Sequence, residues 1–360
     1  MPTLDRERLK SLADLLLESM AKRDATLLPL ARTYAMTKNN GPSSPGMADI
    51  WRTVTGYKAP ADFQYVIDTP AQQVFVTAEV DEGGVPALLW GRLKAEDELI
   101  TEIELYMCRS NGDSGFMFDP TGLRNMPKEW TASVPDAQKA SRERLTEIAR
   151  CVFDPGLGTP ETSQEGYLVE NGERVMGDIT VEKMRELLPW ATKEMFARVE
   201  REHALPKEYD KPGYASLLPD KSRHAELIGL GCDLMADRPA DDHARILVDE
   251  VQGIVVSLGM VPGHTYPSFY WWYPILETAF VPESMLLDNQ SRRENADSDP
   301  SFDPNVGRDL SLPYIPLSKP VPAVLSTAEV YRFFDGRIQG EHRLMQIQPA
   351  GSTSPWTVGE

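Results

Sequence analysis

The sequence predicts an α+β protein made of two similar units in tandem, each a curved antiparallel sheet wrapped over N-terminal helices. Three observations carry this. The string Arg-Glu-Arg-Leu stands at 6–9 and again at 142–145, each time opening a run with one apolar face. An aromatic residue, two apolar residues and an Asn/Gly turn follow in each copy, as TYAMTKNNG (33–41) and GYLVENGE (166–173). A strand–turn–strand block then closes each copy, at 86–109 and at 324–346. Helices ahead of strands is the order of an α+β unit, and blocks recurring in one order are the mark of an internal repeat.

The totals fit two such units. A chain of 360 residues is long for one core, since domains run to roughly 100–200 residues. With 41% hydrophobic and 26% charged residues the composition is globular. Nothing approaches the roughly 18–20 apolar residues of a membrane span, and MPTLDRERLKSL has no apolar run ahead of small residues as a secretory signal would. The expectation is a soluble, cytoplasmic protein with no membrane partner. A net charge of −18 repels phosphate backbones, which argues against a nucleic-acid partner. Cys108, Cys151 and Cys232 are scattered, with no CxxC, and are read as buried thiols.

Each element follows from local pattern. Leu9, Leu12, Ala13 and Leu16, and then Leu145, Ile148, Ala149 and Val152, recur at i, i+3, i+4, i+7, the stripe of an amphipathic helix. Past the helices, Tyr34 is matched with Tyr167, and Lys38-Asn39 with Glu170-Asn171. Residues 86–109 read as a hairpin about a charged turn, and 324–346 as a hairpin about Asp335-Gly336, with Ile100 matching Ile338 and Met107 matching Met345. The first unit is placed at 1–125, a linker at 126–140 where Pro and small polar residues interrupt both periods, and the second unit at 141–360. That second unit carries a helical insert at 178–222 and a polar, aromatic-rich loop insert at 265–320.

TYAMTKNNG with GMADIW and PALLWGRLKAEDELITEIE resembles the first half of duplicated nuclear-transport-factor-2-like (SnoaL-like) proteins. ENGERVMG, LGCDLM, RILVDEVQGIVVSLGMVPGH and EVYRFFDGRIQGEHRLMQIQPAGSTSPW resemble the second half. The resemblance covers roughly 4–175 and 226–356, and departs at the two inserts and at Lys38, where the family more often has Glu. It implies a pair of cone-shaped α+β barrels, each enclosing a mostly apolar pocket. Its enzymatic relatives are cofactor-free isomerases, dehydratases, cyclases, epoxide hydrolases and lyases, some releasing formaldehyde from lignin-derived diaryl compounds, and other members only bind ligands or proteins. It also implies pairing through the open sheet face, hence a homo-oligomer.

Motifs for bound cofactors are missing: there is no GxGxxG, GxxxxGKS, HExxH or GxSxG, and no His/Asp/Glu cluster at metal spacing. An enzyme built on this chain is therefore expected to work without cofactor or metal, its side chains doing the acid/base work after desolvation has moved their pKa toward neutrality. The richest stretch is GMVPGHTYPSFYWWYPILE (259–277). Read functionally, His264 is the acid or base, Tyr266 a donor, and Tyr270, Trp271 and Trp272 walls of a slot for a planar substrate; read structurally, the aromatics pack against the other unit. His342 is placed on one strand face with Ile338, Leu344 and Gln346 by period-2 alternation, either projecting into a pocket or satisfied in the core. Glu104 takes the matching place in the first copy. Glu170 is a candidate base and Asn171 a binding residue, unless the two only form a turn. In the first copy Lys38 is a candidate base or anion holder, and Asn39, Trp51 and Tyr65 candidate binding residues. Asp68 is read chiefly as the start of a D-T-P turn, and Asp249 and Glu250 as hairpin-turn charges. The expected activity is a lyase of elimination or retro-aldol type on an aromatic or polycyclic small molecule. The alternatives are an isomerase, dehydratase or cyclase, or a non-catalytic ligand-binding or assembly module.

Overall fold

The computed structural model describes residues 3–114, 118–126, 128–151, 160–174, 245–267, 278–282 and 321–356. The helical insert lies outside the described residues, as do most of the loop insert, Cys232 and the second helix's Val152.

Helix α1 (Arg6–Ala21) starts where Asp5 accepts a hydrogen bond from the Arg8 N–H at 2.8 Å, which satisfies one of the donors a helix N-terminus leaves open. Its stripe of Leu9, Leu12, Ala13, Leu16 and Leu17 is buried. The first sheet consists of β1 (Leu30–Lys38), β2 (Gly41–Pro42), β3 (Gly56–Tyr57), β4 (Tyr65–Asp68), β5 (Gln73–Asp81), β6 (Pro86–Glu96) and β7 (Leu99–Cys108). Short helices α2 (Ile50–Thr53), α3 (Asn111–Ser114) and α4 (Lys128–Thr131) precede α5 (Arg142–Cys151), whose Leu145, Ile148 and Ala149 are buried. The second sheet consists of β8 (Thr162–Glu170), β9 (Glu173–Arg174), β10 (Arg245–Asp249), β11 (Ile254–Pro267), β12 (Thr278–Pro282), β13 (Val321–Phe334) and β14 (Arg337–Pro349).

Among the described residues both sheets have seven strands and the same plan. The first runs β2-β1-β7-β6-β5, with β4 and β3 both on β5, and the second runs β9-β8-β14-β13-β11, with β10 and β12 both on β11. In each, one parallel pairing, β1 with β7 or β8 with β14, joins otherwise antiparallel strands. The edge position that β3 fills from before its neighbours in sequence is filled by β12 from after them. The sheets are curved but open. Cone-shaped barrels were expected, yet among the described strands the edges of neither sheet pair with each other.

The registers correspond residue by residue. Leu105 opposite Gly91 in the first sheet answers Arg343 opposite Glu329 in the second, and Met36 opposite Ile103 answers Leu168 opposite Glu341. Even a β-bulge recurs, with Thr101 and Gln339 each left out of the ladder between β6 and β7 or β13 and β14. The match of Lys38 with Glu170 holds in this register, since they pair with Leu105 and Arg343. Tyr34 is one residue out: Ala35 takes the place equivalent to Tyr167.

Each sheet buries two faces. The inner face of the first packs on α1 through Ile67, Val74, Val76, Leu89, Leu93, Ile103 and Leu105, and that of the second packs on α5 through Val248, Val255, Tyr331 and Phe333. The outer faces pack on each other: Val66, Phe75, Leu88, Trp90 and Tyr106 meet Leu247, Val256, Leu258, Ala328, Val330 and Leu344 in one cluster. The 126–140 segment joins that cluster instead of hanging free, because Trp130 is buried in it and the Arg332 guanidinium donates to the Trp130 carbonyl at 2.9 Å. Burial pulls the Arg332 guanidinium down to about 10.

The repeated RERL strings meet at this junction. Arg6 of α1 forks onto Asp249 of the second sheet at 2.8 and 2.9 Å, and Arg142 of α5 forks onto Asp68 of the first at the same distances. The same aspartates accept backbone N–H groups across the junction, Asp249 from Ile67 at 3.0 Å and Asp68 from Val248 at 2.9 Å. Asp68 also starts the expected turn by accepting from Ala71 N–H. A buried carboxylate costs stability unless paired, so each unit completes the other's. Asp249→Ala strands the Ile67 N–H and loosens Arg6, and urea unfolding is expected to register a loss of about 3 kcal/mol or more. Arg6→Ala, at a partly exposed position, is expected to cost less. A double-mutant cycle on the two is expected to show clear coupling.

Candidate functional site

The expected site residues fall into three groups. Tyr270, Trp271 and Trp272 lie outside the described residues, and Tyr266 is described only as a backbone position in β11. Glu170 ends β8 with its backbone opposite Arg343.

A second group does structural work. Asn39 and Asn171 have positive φ, 48° and 45°, and act as identical clips. Asn39 donates its N–H to Leu105 O and accepts from Met107 N–H at 2.8 and 2.9 Å, and Asn171 treats Arg343 and Met345 in the same way at the same distances. Each Asn side chain thereby carries on the ladder of β7 or β14 past the end of the neighbouring strand. Trp51 is buried and donates to the Ser19 hydroxyl, and the Tyr65 hydroxyl donates to Asp14 at 2.5 Å. Burial, then the Asp14 hydrogen bond, raise the Tyr65 phenol far above its ordinary value. These groups fill the first unit's inner side beneath α1. Lys38 pairs with Asp49 at 2.8 Å; burial of Asp49 opposes its ionisation, but Lys38 and Arg109 outweigh it and lower its pKa.

The histidines form the third group. His342 lies on the outer face and not with Ile338, because the bulge at Gln339 resets the alternation: Ile338 belongs to the inner cluster, while His342 neighbours Leu344 of the outer one. Its Nε2 accepts from Gly172 N–H at 3.2 Å, and burial depresses the imidazole to about 3, so it is neutral at pH 7. The cavity it lines with Phe63, Val66, Phe75 and Trp130 measures about 10 Å³, room for one water at most. His264 is half-buried near the end of β11, on the even-numbered side opposite to Ser257, and its Nδ1 has no hydrogen-bond partner. A wider depression of about 420 Å³ is open at the surface by Ser141, Arg144 and Phe333, away from both histidines.

Two buried charge clusters were not anticipated. On the outer face, Glu104 accepts from Arg92 Nε at 2.7 Å and from both Nε and Nη2 of Arg245 at 3.0 and 2.5 Å. Burial works against ionising Glu104, but the two guanidiniums outweigh it and hold its carboxyl below the usual range. Trp356 closes over this cluster, its ring 4.7 Å from Arg92 and its Nε1 donating to Thr37. As the sequence indicated, Glu104 holds the place His342 takes in the second sheet.

The other cluster is on the inner face of the second sheet. Glu329 stands directly across from Arg343, and Tyr331 across from Glu341. Arg343 forks onto Glu341, Nε to Oε1 at 2.5 Å and Nη2 to Oε2 at 3.1 Å, and its Nε is 3.4 Å from Glu329 Oε2. Thr327 donates to Glu329 Oε1 at 2.8 Å. Both glutamates are buried, at 0% and 1% exposure. Burial lifts the Glu341 carboxyl well above the usual carboxylate range; Arg343 pulls the other way and is outweighed, and Glu329 adds to the rise. Glu341 therefore keeps its proton where an exposed glutamate would lose it. The first sheet has Leu89, Gly91, Leu93, Ile103 and Leu105 where the second has Thr327, Glu329, Tyr331, Glu341 and Arg343. The signal was in the sequence: carrying the match of Ile100 with Ile338 along the strand sets Glu341 and Arg343 against apolar residues.

Of the three cysteines, Cys108 and Cys151 are buried thiols outside any disulfide, and burial pushes the Cys108 thiol up. Among the described residues no His, Cys, Asp and Glu cluster is arranged to hold a metal, and no helix is long and apolar enough to cross a membrane.

No protein-family model matches the chain, and no curated protein matches it. Solved structures similar to parts of it include an NTF2-like protein of unknown function from Cytophaga hutchinsonii, 13% identical, over 30% of this chain and 94% of that one, with a TM-score of 0.23. AusH from Aspergillus nidulans is 14% identical over 33% of this chain and 91% of its own, with a TM-score of 0.26. A de novo designed protein with a curved β-sheet is 12% identical over 29% and 87%, with a TM-score of 0.24. At these scores the likenesses carry no argument.

The raised Glu341 pKa has a consequence for stability. Above the ordinary value of 4.5 the unfolded chain releases a proton that the folded chain still holds, so this group's contribution is full below that pH and is lost as pH rises through the folded pKa. Glu341→Gln, which mimics the protonated form, is expected to flatten that fall in denaturant midpoints measured from about pH 4 to 8.

Proposed function

We propose that the chain is a cofactor-independent acid/base enzyme, a lyase of elimination or retro-aldol type on an aromatic or polycyclic small molecule, with its chemistry in the second unit. The observation that carries this reading is the Glu329–Glu341 pair with Arg343 on the inner face of β13 and β14. Glu341, whose carboxyl burial holds protonated, serves as the acid, and the neighbouring Glu329 as the base. In a retro-aldol step, the ionised carboxylate takes the proton of a substrate hydroxyl. The carbon–carbon bond breaks as the new carbonyl forms, and its electron pair passes to an adjacent electron-withdrawing group. The protonated carboxyl then returns a proton to that carbon, while Arg343 steadies the negative charge. Dehydration or isomerisation uses the same two proton transfers.

The equal strand plans and registers support a tandem duplication of a nuclear-transport-factor-2-like unit in which the copies diverged. The first copy's inner face, filled by Trp51, Tyr65 and the leucines of α1, suits a scaffold. It is also the observation that favours the competing reading, a binding or assembly module.

The test is product analysis by mass spectrometry over a panel of hydroxylated diaryl and polycyclic compounds. Glu329→Gln and Glu341→Gln are each expected to lower turnover by on the order of 10²–10⁴-fold. Unchanged turnover in both would end the reading, and a His264→Ala variant that alone loses activity would move the acid/base role to the end of β11.

A further inference from the structure

His342 stands where both units and the segment between them meet. From β14 it shares its small cavity with Phe75 and Thr77 of the first unit and with Leu123, Met126 and Trp130 of the connecting segment. Among the described residues no charged group lines that cavity. The charged groups on the elements packed around it are engaged elsewhere: Glu79 of β5 with Arg124, Asp62 with Lys10, Asp119 with Thr121, and Arg332 of β13 with the Trp130 and Ala132 carbonyls. The ring's Nε2 accepts from Gly172 N–H at 3.2 Å, so the proton of the neutral ring sits on Nδ1. The Asn171-Gly172 turn in its turn backs onto the connecting segment. The Asp119 N–H donates to the Asn171 carbonyl at 3.1 Å. The approach is so close that an added Cβ at Gly122 would overlap the Gly172 carbonyl oxygen, and one at Gly172 the Asp119 carbonyl oxygen.

The matching turn of the first unit is held differently. There Asn40 takes the place of Gly172; it accepts from the Tyr106 hydroxyl at 2.8 Å and donates to the Ser326 hydroxyl across the junction at 2.7 Å. Neither hydroxyl changes charge near neutral pH, whereas an imidazole does.

We propose that His342 is an acid-sensitive latch between the units: protonating its ring breaks the Gly172 hydrogen bond and lifts the 118–126 stretch, with Trp130, away from β14. A second ring proton on Nε2 sets donor against donor, imidazolium N–H against Gly172 N–H, inside a wall that offers no balancing charge. The imidazolium then has to reach water. β14 cannot open the way, because ladders with β13 and β8 fix it on both sides. The connecting stretch can, since it is a short 3-10 helix (Pro120–Asn125) outside either sheet, and such pieces open at low cost. Burial carries the ring's pKa from 6.5 to about 3 while the stretch is closed. Below 6.5 the open form binds a proton that the closed form refuses, so closure is complete above that pH and is lost as pH falls toward 3. The latch faces the outer side of the sheet and is independent of the acid/base reading of the inner-face glutamates.

The test is amide hydrogen exchange by mass spectrometry on the full-length chain at pH 7, 6 and 5, with rates corrected for the intrinsic pH dependence of exchange. Opening of 118–126 is expected to rise roughly 25-fold from pH 7 to pH 5, while β5, β6 and β7 keep their protection. His342→Gln, which keeps an acceptor for the Gly172 N–H and carries no charge, is expected to abolish that rise. Where the variant does not fold, the wild-type series decides by itself: a rise confined to 118–126 and the 171–172 turn supports the latch. Protection of 118–126 that does not change with pH, or an equal rise in His342→Gln, would overturn it. So would loss of protection from both sheets together with the stretch, which would leave His342 a group of global stability only.

Discussion

The structure depends on one constraint: each sheet has two faces to bury, and among the described residues one long helix lies on each. α1 and α5 take the inner faces, and the outer faces pack on each other with Leu123 and Trp130 between them. The electrostatic counterpart of that burial is the crossed pair of contacts, Arg6 to Asp249 and Arg142 to Asp68. Either aspartate alone would be a buried charge at a sheet edge. Accepting an N–H from the other sheet's edge strand and a guanidinium from the other unit's helix makes both tolerable, and ties each unit's folding to the other's presence.

Within this frame the two sheets distribute polarity oppositely. The first keeps an apolar inner face and places Glu104, Arg92 and Tyr106 on its outer face, where Arg245 of the second unit reaches them. The second sets Leu247, Val256, Leu258, Ala328, Val330 and Leu344 on its outer face beside His342, Ser326, Gln346 and Arg332, and turns Thr327, Glu329, Glu341 and Arg343 inward. The same backbone carries both patterns because side chains alternate across a strand, so a change of residue type at alternate positions moves charge from one face to the other without disturbing the ladder. The recurrent bulge at Thr101 and Gln339 sets which parity faces in.

That bulge also marks how far the sequence could be read. The helices, both Asn turns, both long hairpins and the pairing of Lys38 with Glu170 follow from local pattern, because capping, turn chemistry and periodicity act over a few residues. His342 stands on the face opposite to Ile338, since one extra residue in a strand shifts every later side chain to the other face and leaves no mark on composition, and that Ala35 and not Tyr34 answers Tyr167 shows only in the strand register. Asn39 and Asn171 read equally well as binding residues or as turn formers, and their role as ladder clips is settled by which carbonyl and N–H stand opposite.

By itself the sequence determined the α+β class, the two N-terminal helices and the long hairpins, and the chemical types available for acid/base work. Those rest on propensity and on short-range pattern, which any window of the chain exposes. Only the tertiary structure decided that the two RERL arginines cross between units, that the first unit's inner side is filled, and that Glu329 and Glu341 meet over Arg343. These outcomes depend on register and on which faces are buried together, and both are set by contacts between residues far apart in the chain.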